Sequence, residues 1–183
     1  MKLLTRIIIS LAVFALPTSS LANEVDDHEV LWDAVQNVGI SIYVNEPSHC
    51  KGSTSGVYLW NKETHQAAMV ICQDNGVQAG VQVEWTDNDL DTLRHEAHHI
   101  VQDCLEGGTG DGQFGLFFEY PDKYNEFISR SLSPTEIHNI SRNYHLNGAT
   151  DYVVLRELEA FAVAKNVGPK LIAEALVKAC PTK

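Results

Sequence analysis

The sequence predicts an α+β fold, with a small antiparallel β region followed by a mostly helical half. Three short runs rich in β-branched and aromatic residues lie within residues 40–72, and turn-forming residues separate them. After residue 86 the apolar residues recur at helical spacing, and residues that start or stop helices bracket each segment. A strand-rich region that precedes a run of helices is typical of the α+β class.

Local signals assign the elements of the first half. Residues 29–38 have the apolar spacing of a helix, and Gly39 ends it. Strands are predicted at 40–44, 56–60 and 67–72, and the polar residues between the last two predict a hairpin connection.

The second half is predicted to be helical. Helices are expected at 89–106, 122–132, 134–145, 151–167 and 170–179. Thr86 followed by Asp89 resembles a capping box and predicts where the first of them begins. Ser133 before Pro134 gives a start signal for the third helix, because serine caps helix ends and proline suits the first helical position.

The start of the chain predicts a secretory signal peptide over residues 1–22. Lys2 and Arg6 precede an apolar run from Ile7 to Leu16, and small residues follow it. This run is too short to span a bilayer, which needs roughly 20 apolar residues. We therefore expect a secreted or periplasmic protein with a single domain over residues 23–183 and no stable membrane insertion after cleavage.

The predicted mature chain is strongly acidic. The whole chain has 13 basic and 24 acidic residues. Lys2 and Arg6 belong to the signal peptide, so the mature charge is 11 minus 24, or −13. Such a surface repels nucleic acid and anionic membranes, and we expect neither as a partner.

All four cysteines lie in the predicted mature chain, and an even count in an exported protein indicates two disulfides. They are Cys50, Cys72, Cys104 and Cys180. Three pairings are possible. We favour Cys50 with Cys72, which bracket a short β region, and Cys104 with Cys180, which would tie the last helix to the helix at 89–106.

The helix at 89–106 is predicted to have two separate faces. Its core face is an apolar stripe made of Leu93, Ala97, Ile100, Val101 and Cys104. A second stripe holds His95, His99 and Gln102, so polar and apolar residues do not compete for one surface. Gln102 could orient a ligand or face solvent.

His95-Glu96-Ala97-His98-His99 fits the pattern H-E-x-x-H, which chance would produce roughly 0.02 times in such a chain. Histidines one turn apart converge on one point, and two imidazoles in an exported protein suit zinc. Glu96 lies about 100° round the helix from His95, where a carboxylate can act as a general base on zinc-bound water. His98 turns away from the pair, so we expect a packing role or a surface hydrogen bond for it.

A catalytic zinc needs a third protein ligand, and the residues leave Glu157, Glu159 and Asp111 open. Glu157 shares its helix face with small and apolar residues that would let the two helices approach closely. Glu159 shares a face with Arg156, which favours the solvent side. Asp111 lies in a glycine-rich loop that could fold back toward the helix.

The H-E-x-x-H pattern followed far downstream by Glu157-x-x-Ala160 resembles the gluzincin branch of the zincin metallopeptidases. The resemblance implies a zincin-like active-site helix, zinc as cofactor, and His95, His99 and Glu157 as its ligands. It implies Glu96 as the catalytic base. It also implies an edge strand that binds an extended peptide ahead of the motif helix, and residues 67–72 match that strand in order.

Residues 108–115 are similar to the G-T-x-D-x-x-Y-G signature of the aspzincins. In that family the aspartate completes the zinc shell, which would make Asp111 the third ligand. The sequence departs from the signature at Phe114, where the family has a tyrosine that helps the transition state.

The sequence thus predicts a secreted zinc metallopeptidase that hydrolyses peptide bonds of a peptide or protein substrate. In this interpretation Glu96 activates a zinc-bound water. The alternative is a disulfide-stabilised zinc-binding or protein-binding module on a zincin scaffold without turnover. The intact Glu96 favours the enzyme, because a binding module has no use for a base at that position.

Overall fold

The computed structural model describes residues 21–180 and confirms the α+β class, with six helices and one three-stranded sheet in that range. The elements are α1 (Leu21–Asn37), β1 (Ser41–Val44), β2 (Gly56–Asn61), β3 (Gln66–Ile71), α2 (Asp87–Leu105), α3 (Pro121–Ser131), α4 (Pro134–Leu146), α5 (Asp151–Asn166) and α6 (Pro169–Ala179). The predicted signal peptide lies outside the described residues, apart from the two that begin α1. Among residues 21–180, no helix has the length and apolar character needed to cross a membrane.

The strand order is β1-β3-β2, so β3 lies in the centre of the sheet. The prediction that residues 67–72 form an edge strand is therefore wrong. Residues 69–71 have no exposed surface, as expected of a central strand that is covered on both faces. β2 is the edge strand next to α2.

The sheet is mixed rather than purely antiparallel. β2 and β3 form the predicted antiparallel hairpin, whereas β1 runs parallel to β3. The loop after β1 passes round the end of β3, where Cys50 is bonded to Cys72, and it delivers the chain to the far side of β3. This detour separates β1 from β2 and produces the parallel pair.

Both favoured disulfide pairings are confirmed. Cys50 is bonded to Cys72 with their Cα atoms 5.4 Å apart, and Cys104 is bonded to Cys180 with a Cα separation of 5.1 Å. The second bond fastens the residue after α6 to the last turn of α2, which agrees with the expected link between these two helices.

α2 lies at the centre of the fold, against β2, α5 and α6. Its predicted apolar stripe is buried in the main core together with residues of α1, β3 and α6. Its N-terminus has the predicted capping box, since the Thr86 hydroxyl accepts from the Asp89 N–H and the Asp89 carboxylate accepts from the Thr86 N–H. A second apolar cluster joins α3 and α4 to α5. The fold therefore holds α2 and α5 side by side at fixed positions.

Candidate metal centre

Two adjacent helices supply the predicted site residues. α2 contributes His95, Glu96 and His99, and α5 contributes Glu157. The helices approach closely because the interface side of α5 carries small side chains, and Ala160 there is fully buried. This arrangement agrees with the close approach predicted for the face of Glu157.

Three candidate ligand atoms meet between these helices. The Nε2 atoms of His95 and His99 are 3.1 Å apart, and Glu157 Oε2 lies 3.3 and 3.5 Å from them. Ligand atoms about 2.0–2.2 Å from a tetrahedral zinc are roughly 3.3 Å apart, so the triangle has the size of one face of such a site. His95, His99 and Glu157 could therefore hold a metal ion.

Among the described residues, hydrogen bonding leaves one of these three atoms, Glu157 Oε2, without a donor. Within residues 21–180, the buried Glu157 Oε2 atom has no hydrogen-bond donor in suitable geometry. A buried carboxylate oxygen without a partner is costly, and a bound cation removes that cost. The donor set and the unpartnered oxygen both fit a metal ion.

The electrostatics of the cluster favour a positive charge among the three side chains. Burial alone would raise the pKa of Glu157, but the His99 and His95 imidazoles outweigh it and hold that pKa well below its ordinary range. Burial would also lower the pKa of His99, but the Glu157 carboxylate outweighs it and raises that pKa to about 9. A proton or a metal cation can supply this charge.

Glu96 faces the same cavity as the three candidate ligands. It is buried, and this burial raises its pKa, while the His95 and His99 imidazoles act in the opposite direction. A carboxylate with a raised pKa is a stronger base than an exposed one.

Gly56 of β2 lies directly against Glu96, and sequence reasoning missed it. A Cβ atom at Gly56 would lie 2.5 Å from Thr92 Cγ2 and 3.0 Å from both Cγ and Oε1 of Glu96. Only glycine lets the strand come this close to the carboxylate. A glycine at the start of a predicted strand was the one available signal.

A cavity of about 350 Å³ opens over the centre. Trp60, Phe114 and Tyr152 form one side of it, and we call these three residues the aromatic wall. The rings of Trp60 and Phe114 are in edge contact, with centroids 5.0 Å apart. The Arg156 guanidinium lies 3.4 Å from the centre of the Tyr152 ring and donates to the Phe114 carbonyl oxygen, which holds the wall together. Pockets of this size with one apolar side commonly bind ligands.

Tyr144 of α4 also lines the cavity, and sequence reasoning assigned it no role. Burial raises the pKa of its phenol, and the neighbouring Glu157 carboxylate adds to this effect through charge and a hydrogen bond. The hydroxyl therefore stays protonated and can donate to Glu157.

Asp111 is not brought to the three candidate ligands. Its Oδ1 atom accepts from the Gln113 N–H at 2.7 Å. Its carboxylate also lies beside Asp103, where it adds to the effect of burial in raising the pKa of Asp103. The glycine-rich loop holds Asp111 near the end of α2, and the residue of this loop that lies beside His99 is Phe114.

The prediction for Glu159 is wrong, whereas the burial of His98 agrees with the packing role expected for it. Glu159 was expected on the solvent side, but it has no exposed surface. Its Oε2 atom lies 3.1 Å from Nε2 of His98, which is itself buried rather than on the surface. Gln102 is buried as well and contacts both Glu159 and His99.

Comparison with known proteins gives no match to a family model, a curated protein or a solved structure. The site is therefore characterised by its own side chains. They are two imidazoles and a carboxylate within 3.5 Å of one another, with a second buried carboxylate beside them.

Proposed function

We propose that the protein is a secreted zinc metallopeptidase. One observation carries the proposal: His95 Nε2, His99 Nε2 and Glu157 Oε2 lie within 3.5 Å of one another, in a cavity that Glu96 also lines. Two imidazoles and one carboxylate are a ligand set found in catalytic zinc sites. The resemblance of the motif and of Glu157 to the gluzincins supports the same function, and the two disulfides agree with export.

In the proposed reaction, each side chain of the site has a separate role. Zinc held by His95, His99 and Glu157 would polarise the substrate carbonyl and make a water molecule more acidic. The Glu96 carboxylate takes a proton from the attacking water and returns it to the leaving nitrogen. Tyr144 lines the same cavity, and its protonated hydroxyl can donate to the Glu157 carboxylate.

The edge of β2 offers a binding surface for an extended peptide. Along an antiparallel strand, the backbone N–H and C=O groups of alternate residues face the neighbouring strand. The Tyr58 N–H is directed at Glu96 and not at β3. By alternation, backbone groups of Gly56 and Trp60 also lie on the free edge, and all three residues line the cavity. A substrate can add there as a further strand, with an apolar side chain against the aromatic wall.

Two measurements on the purified protein test the function. We expect about one zinc per chain and cleavage of a general protein substrate. Glu96→Gln should keep the zinc and reduce cleavage to background, because an amide cannot accept the proton. Glu174→Gln, at an exposed position on α6, is the matched control and should change neither.

Two outcomes would contradict the proposal. Folded protein that binds no zinc excludes a zinc enzyme, and undiminished cleavage by Glu96→Gln excludes Glu96 as the base. Zinc binding by the wild-type protein without any turnover would instead support a zinc-binding module on this scaffold.

A further inference from the structure

Two glutamates on α5 contact the three histidines of α2, and they form two separate groups. Glu157 Oε2 lies 3.3 and 3.5 Å from the Nε2 atoms of His95 and His99. Glu159 Oε2 lies 3.1 Å from Nε2 of His98, and neither residue lines the cavity. The metal centre uses the first group and leaves the second, fully buried group without a role.

Gln102 connects the second group to the first. Its Oε1 atom lies 2.8 Å from His99 Nδ1, and its Nε2 atom donates to Glu159 Oε2 at 2.8 Å. The same Nε2 atom donates to the backbone oxygen of Arg156 at 3.1 Å. A chain of hydrogen bonds therefore runs from a candidate ligand, through a buried amide, to a buried carboxylate.

The partners of the Gln102 amide fix its orientation. The Arg156 carbonyl and the Glu159 carboxylate can only accept hydrogen bonds, so the NH2 group must face them. The amide oxygen then faces His99 Nδ1, and an oxygen there requires that Nδ1 carries the proton. The lone pair of His99 is left on Nε2, the atom that lies beside His95 and Glu157.

The position of Glu159 is itself fixed by the backbone. Its Oε2 and Oε1 atoms accept from the N–H groups of Phe117 and Phe118 at 3.1 and 3.0 Å. Phe117 and Phe118 lie in the segment between α2 and α3, so a third part of the chain, besides α2 and α5, holds the carboxylate in place. With donors at both oxygens it remains a fixed acceptor, and the amide of Gln102 cannot reverse without losing a buried hydrogen bond.

We propose that Gln102 and Glu159 are positioning residues for the metal centre, which set the tautomer and the ring orientation of His99. The inference rests on the proposed zinc site. It extends the pattern on α2 to H-E-x-x-H-x-x-Q and pairs it with E-x-E on α5. Partners of this kind are common for metal-binding histidines, and their loss typically weakens metal affinity by about 10–100-fold.

Zinc affinity, measured by competition with a chromophoric chelator, is the readout. Gln102→Met keeps the size of the side chain but removes the acceptor for His99, and we expect zinc binding about 10–100-fold weaker. Glu159→Gln should act through Gln102. Its NH2 group replaces one acceptor oxygen, so the variant loses either the bond from the Phe118 N–H or the bonds from the Phe117 N–H and the Gln102 NH2 group. Either loss loosens the hold on Gln102, and we expect zinc binding to weaken by less than in Gln102→Met.

His98→Asn is the matched control, because His98 is buried against Glu159 but lies outside the chain of bonds that reaches His99. We expect it to lower the melting temperature of the metal-free protein and to change zinc affinity by less than about twofold. The double variant Gln102→Met/Glu159→Gln should bind zinc no more weakly than Gln102→Met alone, because both changes act along one path.

The outcomes separate this inference from the proposed function. Wild-type protein that binds no zinc would overturn both. Wild-type protein that binds zinc and cleaves peptides, with Gln102→Met within twofold of its zinc affinity, would overturn the positioning role alone. Equal zinc loss in His98→Asn and Gln102→Met, or additive losses in the double variant, would show a network that only stabilises the fold.

Discussion

The floor and the aromatic wall of the cavity differ in almost every physical property. The floor comes from two packed helices, and its ionisable side chains, His95, Glu96, His99 and Glu157, have little contact with solvent. The wall comes from a strand, a loop and a helix start, and its rings are apolar. Trp60 and Tyr152 in it are 43 and 48 % exposed.

The difference indicates which role each surface is suited to. Buried ionisable groups held by two helices cannot move without breaking the core, so the floor suits chemistry that needs fixed positions. Half-exposed rings can be covered by a ligand with a gain in apolar burial, so the wall suits binding. Changes to the floor should therefore remove metal or turnover, and changes to the wall should alter only the choice and affinity of substrate.

The largest effect is expected from removing the carboxylate of the floor. Glu157→Ala should weaken zinc binding by more than about 100-fold, beyond the usual loss for residues that only support a ligand. Asp111→Ala is the comparison, and it should keep the zinc because Asp111 lies beside Asp103 and not among the histidines. Chelator competition measures both. The reverse result would mean that the loop, and not α5, completes the centre.

Gly56→Ala tests how tightly the edge strand fits the floor. The added Cβ atom would collide with Thr92 and Glu96, at a cost of about 1–3 kcal/mol and with a displaced Glu96 carboxylate. We expect zinc binding to persist and kcat to fall about tenfold or more, because small displacements of a catalytic group are costly. Gly168→Ala, where the added atom meets nothing within 4 Å, is the control. Unchanged kcat in Gly56→Ala would refute the tight fit.

Trp60→Ala tests whether the aromatic wall contacts the substrate. We expect kcat/KM for peptides with an aromatic side chain near the cleaved bond to fall about tenfold, with zinc content unchanged. Peptides with alanine at that position should be affected less. Tyr120→Ala removes another exposed ring, 73 % accessible and outside the cavity lining, and should have no such effect. An equal loss for both peptides would argue against contact between the wall and the substrate.

The smallest effect is expected at Glu136, whose side chain is partly exposed and belongs to neither the floor nor the wall. Hydrogen bonds from the Lys165 ammonium and from Ser133 lower the pKa of this exposed carboxyl from 4.5 to about 2. A lowered pKa in the folded state adds stability that is present above pH 4.5 and is lost as the pH falls to about 2.

Thermal unfolding of the Glu136→Gln variant checks this assignment. Between pH 4.5 and 2 its melting temperature should decline less steeply than that of the wild-type protein, because the variant has no proton to take up there. Parallel declines would exclude the proposed linkage. Zinc binding at neutral pH should not change, since the side chain belongs to neither floor nor wall.

Local patterns predicted most of what lies along single helices. The spacing of His95 and His99, the cap at Thr86 and the apolar stripe of α2 depend on neighbours within a few turns. The small residues beside Glu157 correctly predicted a close helix pair. The disulfides were predictable because Cys50 and Cys72 bracket one short β region, which leaves Cys104 and Cys180 as the second pair.

Features set by distant partners were not predictable from the same patterns. Glu159 was assigned to solvent because it shares a face with Arg156, but the Arg156 guanidinium bends toward Phe114, and Glu159 meets backbone donors of a separate segment. The order of the strands was missed for a related reason. The path of the loop after β1 decides which strand is central, and strand composition alone does not encode that path.

The bond between Cys104 and Cys180 turns the second half of the protein into a covalent ring. The two cysteines are 76 positions apart, and Tyr144, Glu157 and Glu159 all lie between them. A single backbone cut anywhere inside this ring opens it into two pieces that remain joined through sulfur. A chain that is nicked once in that region therefore keeps α5 covalently linked to α2.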